Sequence, residues 1–400
     1  MLILVHPRIA FVVLLIISVV STGTVFATPP DEMTVTFQGR FDNACNGIVV
    51  SGDLAYLATQ YGIGIANISD PQNPFREGSR VGNKSPWDVA LQGGYAYLTT
   101  QPGLQVFDVS NPKSPAAKTT FPTPRLAQSI AISGNFAYLA CGFSGLIVVD
   151  ISNPENPTLA GSLALANATG IKVRGQYAYV TNGAEGFQIV DISNPHSPSP
   201  LGSIQLPAPA FGLDVAGDFA FVICHYPGGL QIVSITDPLH PSIAATYIPT
   251  GSPLAVAVSG GYAYLAGTDY IDLEIVNVTN PHAPYKAGSY HQMHFTAFDL
   301  QVRGSYVYVC DFTRGLTIFS TTKYFVCADL DNSGSVDLTD AITLAKMIFG
   351  MLPDKSTNTS GGDLNCDGRL NLADAVELIR YLFVGDVFFC DGCGSAPPPR

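Results

Sequence analysis

Ile130-Ala131-Ile132-Ser133-Gly134-Asn135-Phe136-Ala137-Tyr138-Leu139-Ala140, followed by Gly145-Leu146-Ile147-Val148-Val149-Asp150-Ile151-Ser152-Asn153-Pro154-Glu155-Asn156-Pro157, decides the fold. The phrase returns about every 41–44 residues, with its anchor aromatic at Tyr56, Tyr97, Tyr138, Tyr179, Phe221, Tyr264 and Tyr308. A fixed period in this range marks a repeat architecture, and several short strands per period mark propeller blades. Each repeat reads as four strands. Strand a is a short alternating run such as Val256-Ala257-Val258 or Leu213-Asp214-Val215. A Gly-containing turn leads to strand b (Tyr262-Ala263-Tyr264-Leu265-Ala266), and a second turn to strand c (Phe187-Gln188-Ile189-Val190-Asp191). A proline turn such as Asn194-Pro195-His196-Ser197-Pro198 then precedes strand d, Leu201-Gly202-Ser203-Ile204. Proline lacks a ladder donor and pushes the preceding residue toward extended geometry, so strand c stops there.

Strand d follows the first six repeats, near Gly78, Thr119, Gly161, Gly202, Ala244 and Gly288, but not the seventh. A run of the same character stands at the other end, Thr34-Val35-Thr36-Phe37-Gln38-Gly39-Arg40-Phe41. The N-terminal strand is therefore predicted to pair with strand c near Leu316 to Phe319. That pairing would close a seven-bladed ring and cover two strand edges. At this point the chain resembles the LVIVD-repeat family, whose eponymous strand is nearly spelled by Leu146-Ile147-Val148-Val149-Asp150. Repeats one, five, six and seven depart at the Asp position with Asn67, Ser234, Asn277 and Ser320. The resemblance implies an exported β-propeller and assigns no catalytic role. Asp108, Asp150 and Asp191 are read as turn-forming groups that satisfy backbone donors, not as a carboxylate ring. The anchor aromatics are read as interblade packing.

Lys and Arg number 19 against 31 Asp and Glu, a net charge of −12 that argues against nucleic acid as a partner. Only 12% of residues are charged. Residues 1–27 read as a signal peptide: Arg8, an apolar run from Ile9 to Val20, and a small-residue cleavage site at Val25-Phe26-Ala27. An uncleaved N-terminal anchor is the competing reading. No later run is long and apolar enough to span a bilayer, so no membrane span is expected in the mature chain, and a secreted or cell-surface location of the bacterial-export type is. The layout reads as signal peptide 1–27, propeller 33–322, a small domain 323–394 and a disordered tail 395–400.

The b–c and d–a loops of a propeller share one face, and here they carry the least repetitive residues. They include Trp87, Asp88, Arg125, Asn182, His225, Tyr226 and Arg314. Glycan or peptide recognition is expected there, with Trp87, Tyr226 and Phe295 as candidate contacts. His291, His294 and Asp311 are metal-ligating types, but ordinary loop polarity is the stronger reading of them. No nucleophile elbow, phosphate loop or zinc-protease helix motif is present. Of the eight cysteines, Cys45 and Cys310 both lie beside the ring closure and are expected to pair, whereas Cys141 and Cys224 are expected to be buried thiols.

The second strong signal is a duplicated loop. Asp329, Asp331, Ser333, Ser335, Asp337 and Asp340 occupy positions 1, 3, 5, 7, 9 and 12 of the first copy, with Gly334 at the sharp turn. Asp363, Asn365, Asp367, Arg369, Asn371 and Asp374 repeat the register 34 residues on, with Gly368 at the turn. Oxygen at positions 1, 3, 5, 9 and 12, plus the carbonyl of position 7, suits a hard cation with six to eight oxygen ligands, so two calcium sites are expected. Each loop runs into an apolar stripe at helical spacing (Ile342, Leu344, Ala345, Ile348; Val376, Leu378, Ile379, Leu382). No comparable helix precedes either loop. The pair resembles a dockerin of type I, a calcium-folded module that docks to cohesin domains, and the resemblance implies a cohesin-like partner. Dockerins of the best-known type carry Ser/Thr pairs at positions 10 and 11, where this chain has Leu338-Thr339 and Leu372-Ala373. Lys346 and Arg380 match the basic residue on the helix and each other. Thr339, Lys346 and Arg380 are the candidate partner contacts. Cys327 with Cys390 or Cys393 could clasp the ends of this small domain; a four-cysteine zinc site including Cys366 is the alternative.

The sequence thus points to a mainly β chain with a small α-helical calcium module, acting as a binding or scaffolding protein. A polysaccharide hydrolase or lyase on a propeller scaffold, or a structural surface-layer component, is the alternative.

Overall fold

The computed structural model describes residues 33–83, 85–268, 271–291 and 296–323, together with Thr343 and Leu344. The chain divides into two compact units. One, Thr34–Thr322, is the propeller; the other comprises Met1–Met33 and Lys323–Arg400. Within the second unit Thr343 and Leu344 are helical and buried.

The strands form seven antiparallel four-stranded sheets. Blades 1 to 6 each use four consecutive strands and span 45–81, 89–122, 129–163, 170–204, 210–247 and 252–290. Blade 7 takes strands a to c from Ala297–Arg303, Tyr306–Asp311 and Gly315–Lys323, and its fourth strand is Met33–Phe41, as the sequence predicts. Phe37 packs edge-on against Phe319 at 6.3 Å, and the Gln38 amide donates to the Ser320 hydroxyl at 2.7 Å. The Cys45–Cys310 disulfide joins strand a of blade 1 to strand b of blade 7. Cys141 and Cys224 are free and buried, and burial pushes their thiols up to about 12 and about 11. Such thiols are inert at neutral pH.

Strand b of each blade is covered on both faces by neighbouring blades, which is why it reads Ala-Tyr-Leu-Ala without polar alternation. The anchor aromatics lie in these interfaces, from fully buried Tyr97 to Tyr56 at 7% exposure. Tyr97 packs with Ile130, Leu139 and Val149 of blade 3, and Tyr308 with Ile48 and Leu57 of blade 1. At the outer rim the contact is backbone to backbone. A Cβ on Gly202 of strand d would stand 2.2 Å from the carbonyl oxygen of Pro238 in the next blade's c–d turn. Glycine and the proline turn therefore recur together because one fits against the other.

The c–d turns confirm the role assigned to the strand-end carboxylates. Asp150 and Asp191 each accept the backbone N–H two residues on, at 2.8 Å, and Asp108 accepts both the N–H and the hydroxyl of Ser110. Asn67 and Asn277 make the same bonds where repeats one and six depart from Asp. These donors, led by the serine bonds, hold the three carboxyls below the usual range.

Candidate functional site

Strand a lines a central channel of about 540 Å³, to which all seven blades contribute. Strand pairing places one residue per blade opposite the anchor aromatic: Val49, Ala90, Ala131, Lys172, Asp214, Ala257 and Gln301. Small or apolar side chains fill four of these places, and blades 4, 5 and 7 put Lys172, Asp214 and Gln301 into the rest. Two residues earlier in the chain, Asp88, just ahead of its strand, and Asp299 also line the channel, because alternate residues of extended chain share a face. Three carboxylates and one ammonium group thus share the channel.

Each carboxylate first serves the ring. Asp88 Oδ2 accepts Ile130 N–H at 2.9 Å and the Ser129 hydroxyl at 3.0 Å. Asp214 Oδ2 accepts Val258 N–H at 2.8 Å, and Asp299 Oδ2 accepts Ile48 N–H at 2.9 Å. The other oxygen of each takes the N–H of the next residue in its own strand. Every one therefore staples its blade to the following one, and Asp299, with the Gln301–Val50 bond, does so across the ring closure. Lys172 Nζ lies 3.9 Å from Asp214.

Burial is the main cause that raises the carboxyls of Asp88 and Asp299, and the Asp88 charge adds to it at Asp299, which is pushed up to about 7. The channel walls strip some water from the half-exposed ammonium group of Lys172, but Asp214, Asp299 and Asp88 together outweigh that cost and raise its pKa. A carboxyl whose folded pKa lies above its unfolded value holds its proton more tightly in the native state. Stability is then greatest in mild acid and falls as pH rises from about 4 toward 7. The c–d turn carboxyls, held low, act only below that window. Thermal melts of wild type are expected to show a higher midpoint at pH 5 than at pH 8. Asp299→Asn should flatten that slope, and an equal slope in the variant would contradict the assignment.

The b–c and d–a loops lie together on one face, as expected: Gly142 bridges Ala168, and Gly183 bridges Ala210. Among the expected contacts, Tyr226 is 81% exposed. Trp87 is half-buried, tilted against Phe298 at 6.0 Å. Asn182 is buried, and its side-chain oxygen accepts Asn167 N–H. Arg125 sits over the Phe143 ring at 5.8 Å. His225 is tilted against Phe211. Asp311 is fully buried: its oxygens accept Thr296 N–H, Thr313 N–H, the Thr313 hydroxyl and Arg314 N–H, at 2.6–2.7 Å. It is a turn anchor. His291 is exposed, and no cluster of three metal-ligating residues occurs among the described residues. Phe295 and His294 lie outside the described residues, as do Thr339, Lys346, Arg380 and both calcium loops, from Asp329, Asp331, Ser333, Ser335, Asp337 and Asp340 to Asp363, Asn365, Asp367, Arg369, Asn371 and Asp374. Exposed aromatics that the sequence reading did not single out stand at three further b–c tips: Tyr61, Phe143 and Phe312.

Comparison with known proteins matches both parts of the chain. The LVIVD repeat matches seven times, at residues 43–79, 84–123, 124–164, 166–205, 209–248, 250–292 and 296–319. The dockerin type I domain matches residues 327–383. Domains of this type bind calcium, dock to cohesins and are typically extracellular. Among the described residues, no helix is long and apolar enough to cross a membrane. No curated protein matches the chain. Among solved structures, the β-propeller domain of Cps50 (Swd1) from Myceliophteria thermophila is similar, with 12% identity and a TM-score of 0.56 over 72% of this chain and 99% of that one. The computationally designed protein Ika8 is similar at 11% identity and a TM-score of 0.52, over 71% of this chain and 98% of that one. At such identity these two speak to the fold alone. With the repeat covering most of its length, and a dockerin type I domain following it, the chain belongs to the LVIVD-repeat family.

Proposed function

We propose that this is an exported binding or scaffolding protein. The signal peptide (1–27) directs export, the propeller (33–322) presents a recognition face for a protein or glycan, and the C-terminal module (323–394) docks to a cohesin-like partner when calcium is bound. The observation that carries the reading is the dockerin match laid over two calcium-type loops in register. The donor set, carboxylate, amide, hydroxyl and carbonyl oxygen around a turn glycine, suits calcium at two sites. Binding is favoured over hydrolysis because the channel carboxylates are engaged by backbone donors that hold the ring together.

The test is binding of the full chain to a panel of immobilised cohesin domains. At least one should retain it in calcium and release it in chelator, and Lys346→Ala with Arg380→Ala should weaken retention about tenfold or more, the usual scale for lost charged contacts. Retention that survives chelator, or no retention by any cohesin, would overturn the docking role.

A further inference from the structure

The channel has a mouth as well as walls. Trp87, Gln128 and Thr169 hold matching places at the head of strand a in blades 2, 3 and 4, each donating its N–H to strand b of its own blade. In blades 1 and 7 a bulge interrupts the ladder at this level, at Asn46 and Phe298, and bulges re-aim side chains. All five residues line the channel. One side of the mouth is aromatic. Trp87 of blade 2 meets Phe298 of blade 7 with ring centroids 6.0 Å apart, and Phe298 meets Phe312 of the blade 7 b–c loop edge-on at 6.1 Å. Blade 1, which lies between them, leaves room because it places Gly47 there: a Cβ would stand 2.7 Å from Asp88 Cα and 2.8 Å from Trp87 O. Asn46 Nδ2 donates to Pro86 O at 2.8 Å and fixes the approach to Trp87. The scaffold thus holds three rings in a row, with Trp87 half-buried and Phe312 40% exposed. A platform held this firmly loses little ordering entropy on binding.

Inside the mouth stands Lys172. Its Nζ lies 3.9 Å from Asp214, a charge contact too long for a hydrogen bond, and no acceptor takes its N–H groups among the described residues. The Lys172 and Asp214 side chains are 50% and 22% exposed, so both open onto the channel. The charges of Asp299 and of Asp88, next in the chain to Trp87, also act on Lys172, which sets its ammonium group among the walls rather than against one of them. Among the described residues the Trp87 indole N–H and the Gln128 amide have no hydrogen-bond partner either. Donors left to water can pass to a ligand without breaking a bond of the protein. Acceptors remain too. Each oxygen of Asp214 and Asp299 takes one backbone N–H, and a carboxylate offers about four lone-pair sites.

We infer that the channel mouth binds the end of a neutral saccharide chain, seated on the row Trp87, Phe298 and Phe312 with its hydroxyls turned to Lys172 and Asp214. The inference rests on the reading of this face as a recognition face and names its ligand class. A sugar ring presents an apolar C–H face, which aromatic area covers, and a rim of groups that both donate and accept. An ammonium group beside a carboxylate supplies strong partners for both. Three carboxylates against one ammonium group disfavour an acidic sugar, since like charges brought together suppress the wrong partner. Walls from all seven blades enclose about 540 Å³, room for about one or two rings at a chain terminus but not for a chain lying across the face.

Trp87 is the only tryptophan of the chain, so tryptophan emission reports on this mouth. The experiment titrates the full chain with mannotriose, galactotriose and cellotriose, which differ in which hydroxyl is axial, then with the hexasaccharide of the best binder and with trigalacturonate. Emission and calorimetry are followed together, in chelator because calcium would bridge the acidic chain. At least one neutral trisaccharide should shift the emission saturably. Its hexasaccharide should bind no more tightly, and trigalacturonate at least about tenfold more weakly. Lys172→Met should weaken binding about tenfold, as loss of a charged hydrogen bond implies, and Phe312→Ala severalfold. Phe312, on an exposed loop tip, keeps the test open where Lys172→Met fails to fold. Binding by none of the neutral trisaccharides, equal binding of trigalacturonate, or much tighter binding of the hexasaccharide would overturn the inference. Heat of binding with Trp87 emission unmoved, or affinity unchanged in both variants, would overturn it while leaving a glycan-binding face in place. Cohesin retention is read separately from all of these.

Discussion

Deletion of residues 33–41 is expected to abolish the cooperative melt of the propeller and to drive the chain into aggregates. The strand Met33–Phe41 is the outer strand of blade 7, so its loss leaves strand c of that blade, Gly315–Lys323, with an open edge. An unpaired edge is a template for another chain. Packing is lost with the ladder: Phe37 leaves Phe319, Gln38 leaves Ser320, and Gly39 no longer meets the c–d turn of blade 1, where Pro71 O lies 2.4 Å from its Cβ position. The disulfide and the Asp299–Ile48 bond stay at the inner side of the seam, but they lie at strands a and b and cannot replace an outer strand. The combined loss should exceed the roughly 4–5 kcal/mol that marks an exceptional single substitution. Size-exclusion chromatography and thermal melts of the truncated chain check this. A monomer melting like wild type would mean the seventh blade is stable with three strands.

What the repeat phrase made legible is the part of the fold that repetition itself encodes. Strand b needs apolar residues at every position because it is packed on both faces, so Tyr97 and Tyr138 stand out seven repeats over. The carboxylates of Asp108, Asp150 and Asp191 act within two residues of themselves, and local chemistry is visible in local sequence. Ring closure was legible because a missing strand d at one end and a surplus one at the other admit one simple pairing. The channel charges were not legible in this way. Asp88, Lys172, Asp214 and Asp299 come from four blades and meet only when the ring is closed. Their signal was present nonetheless: opposite the anchor aromatic most repeats place Val or Ala, and Lys172 and Asp214 break that pattern. Asp311 misleads for the opposite reason. Its residue type suits a metal, yet four nearby donors consume its lone pairs, and only coordinates reveal burial of that kind. Trp87, expected as a ligand contact, leans on Phe298, whereas Tyr226 stands clear in solvent.

Calcium is expected to fold the C-terminal module, and Asp329→Ala to undo most of that folding. In sequence the first loop offers four acidic side chains, Asp329, Asp331, Asp337 and Asp340, and the second three, Asp363, Asp367 and Asp374. Affinity in loops of this design rises with ligand charge, so the first loop should bind more tightly if geometry is shared. Without the cation these carboxylates repel one another within a domain whose apolar stripes are short, and a core of that size holds little free energy in reserve. Metal binding and folding therefore become one event. Val336 and Leu370, at position 8 of the two loops in sequence, are expected to pair the loops, which would couple the sites. Loss of Asp329 should then abolish the first site and weaken the second through the core they share. Titration of the full chain with calcium, followed by calorimetry and by the gain in helical circular dichroism, measures both effects. The propeller supplies an internal control: its β signal and melt should be the same in chelator, since strand pairing, a disulfide and side-chain to backbone bonds between blades hold its ring. Two sites in wild type, one weakened site in Asp329→Ala and an unmoved propeller form the expected pattern. A module equally helical in chelator, or one that takes up no calcium at millimolar concentration, would contradict it, because then neither the charge of the loops nor their register would have any part in holding the domain together.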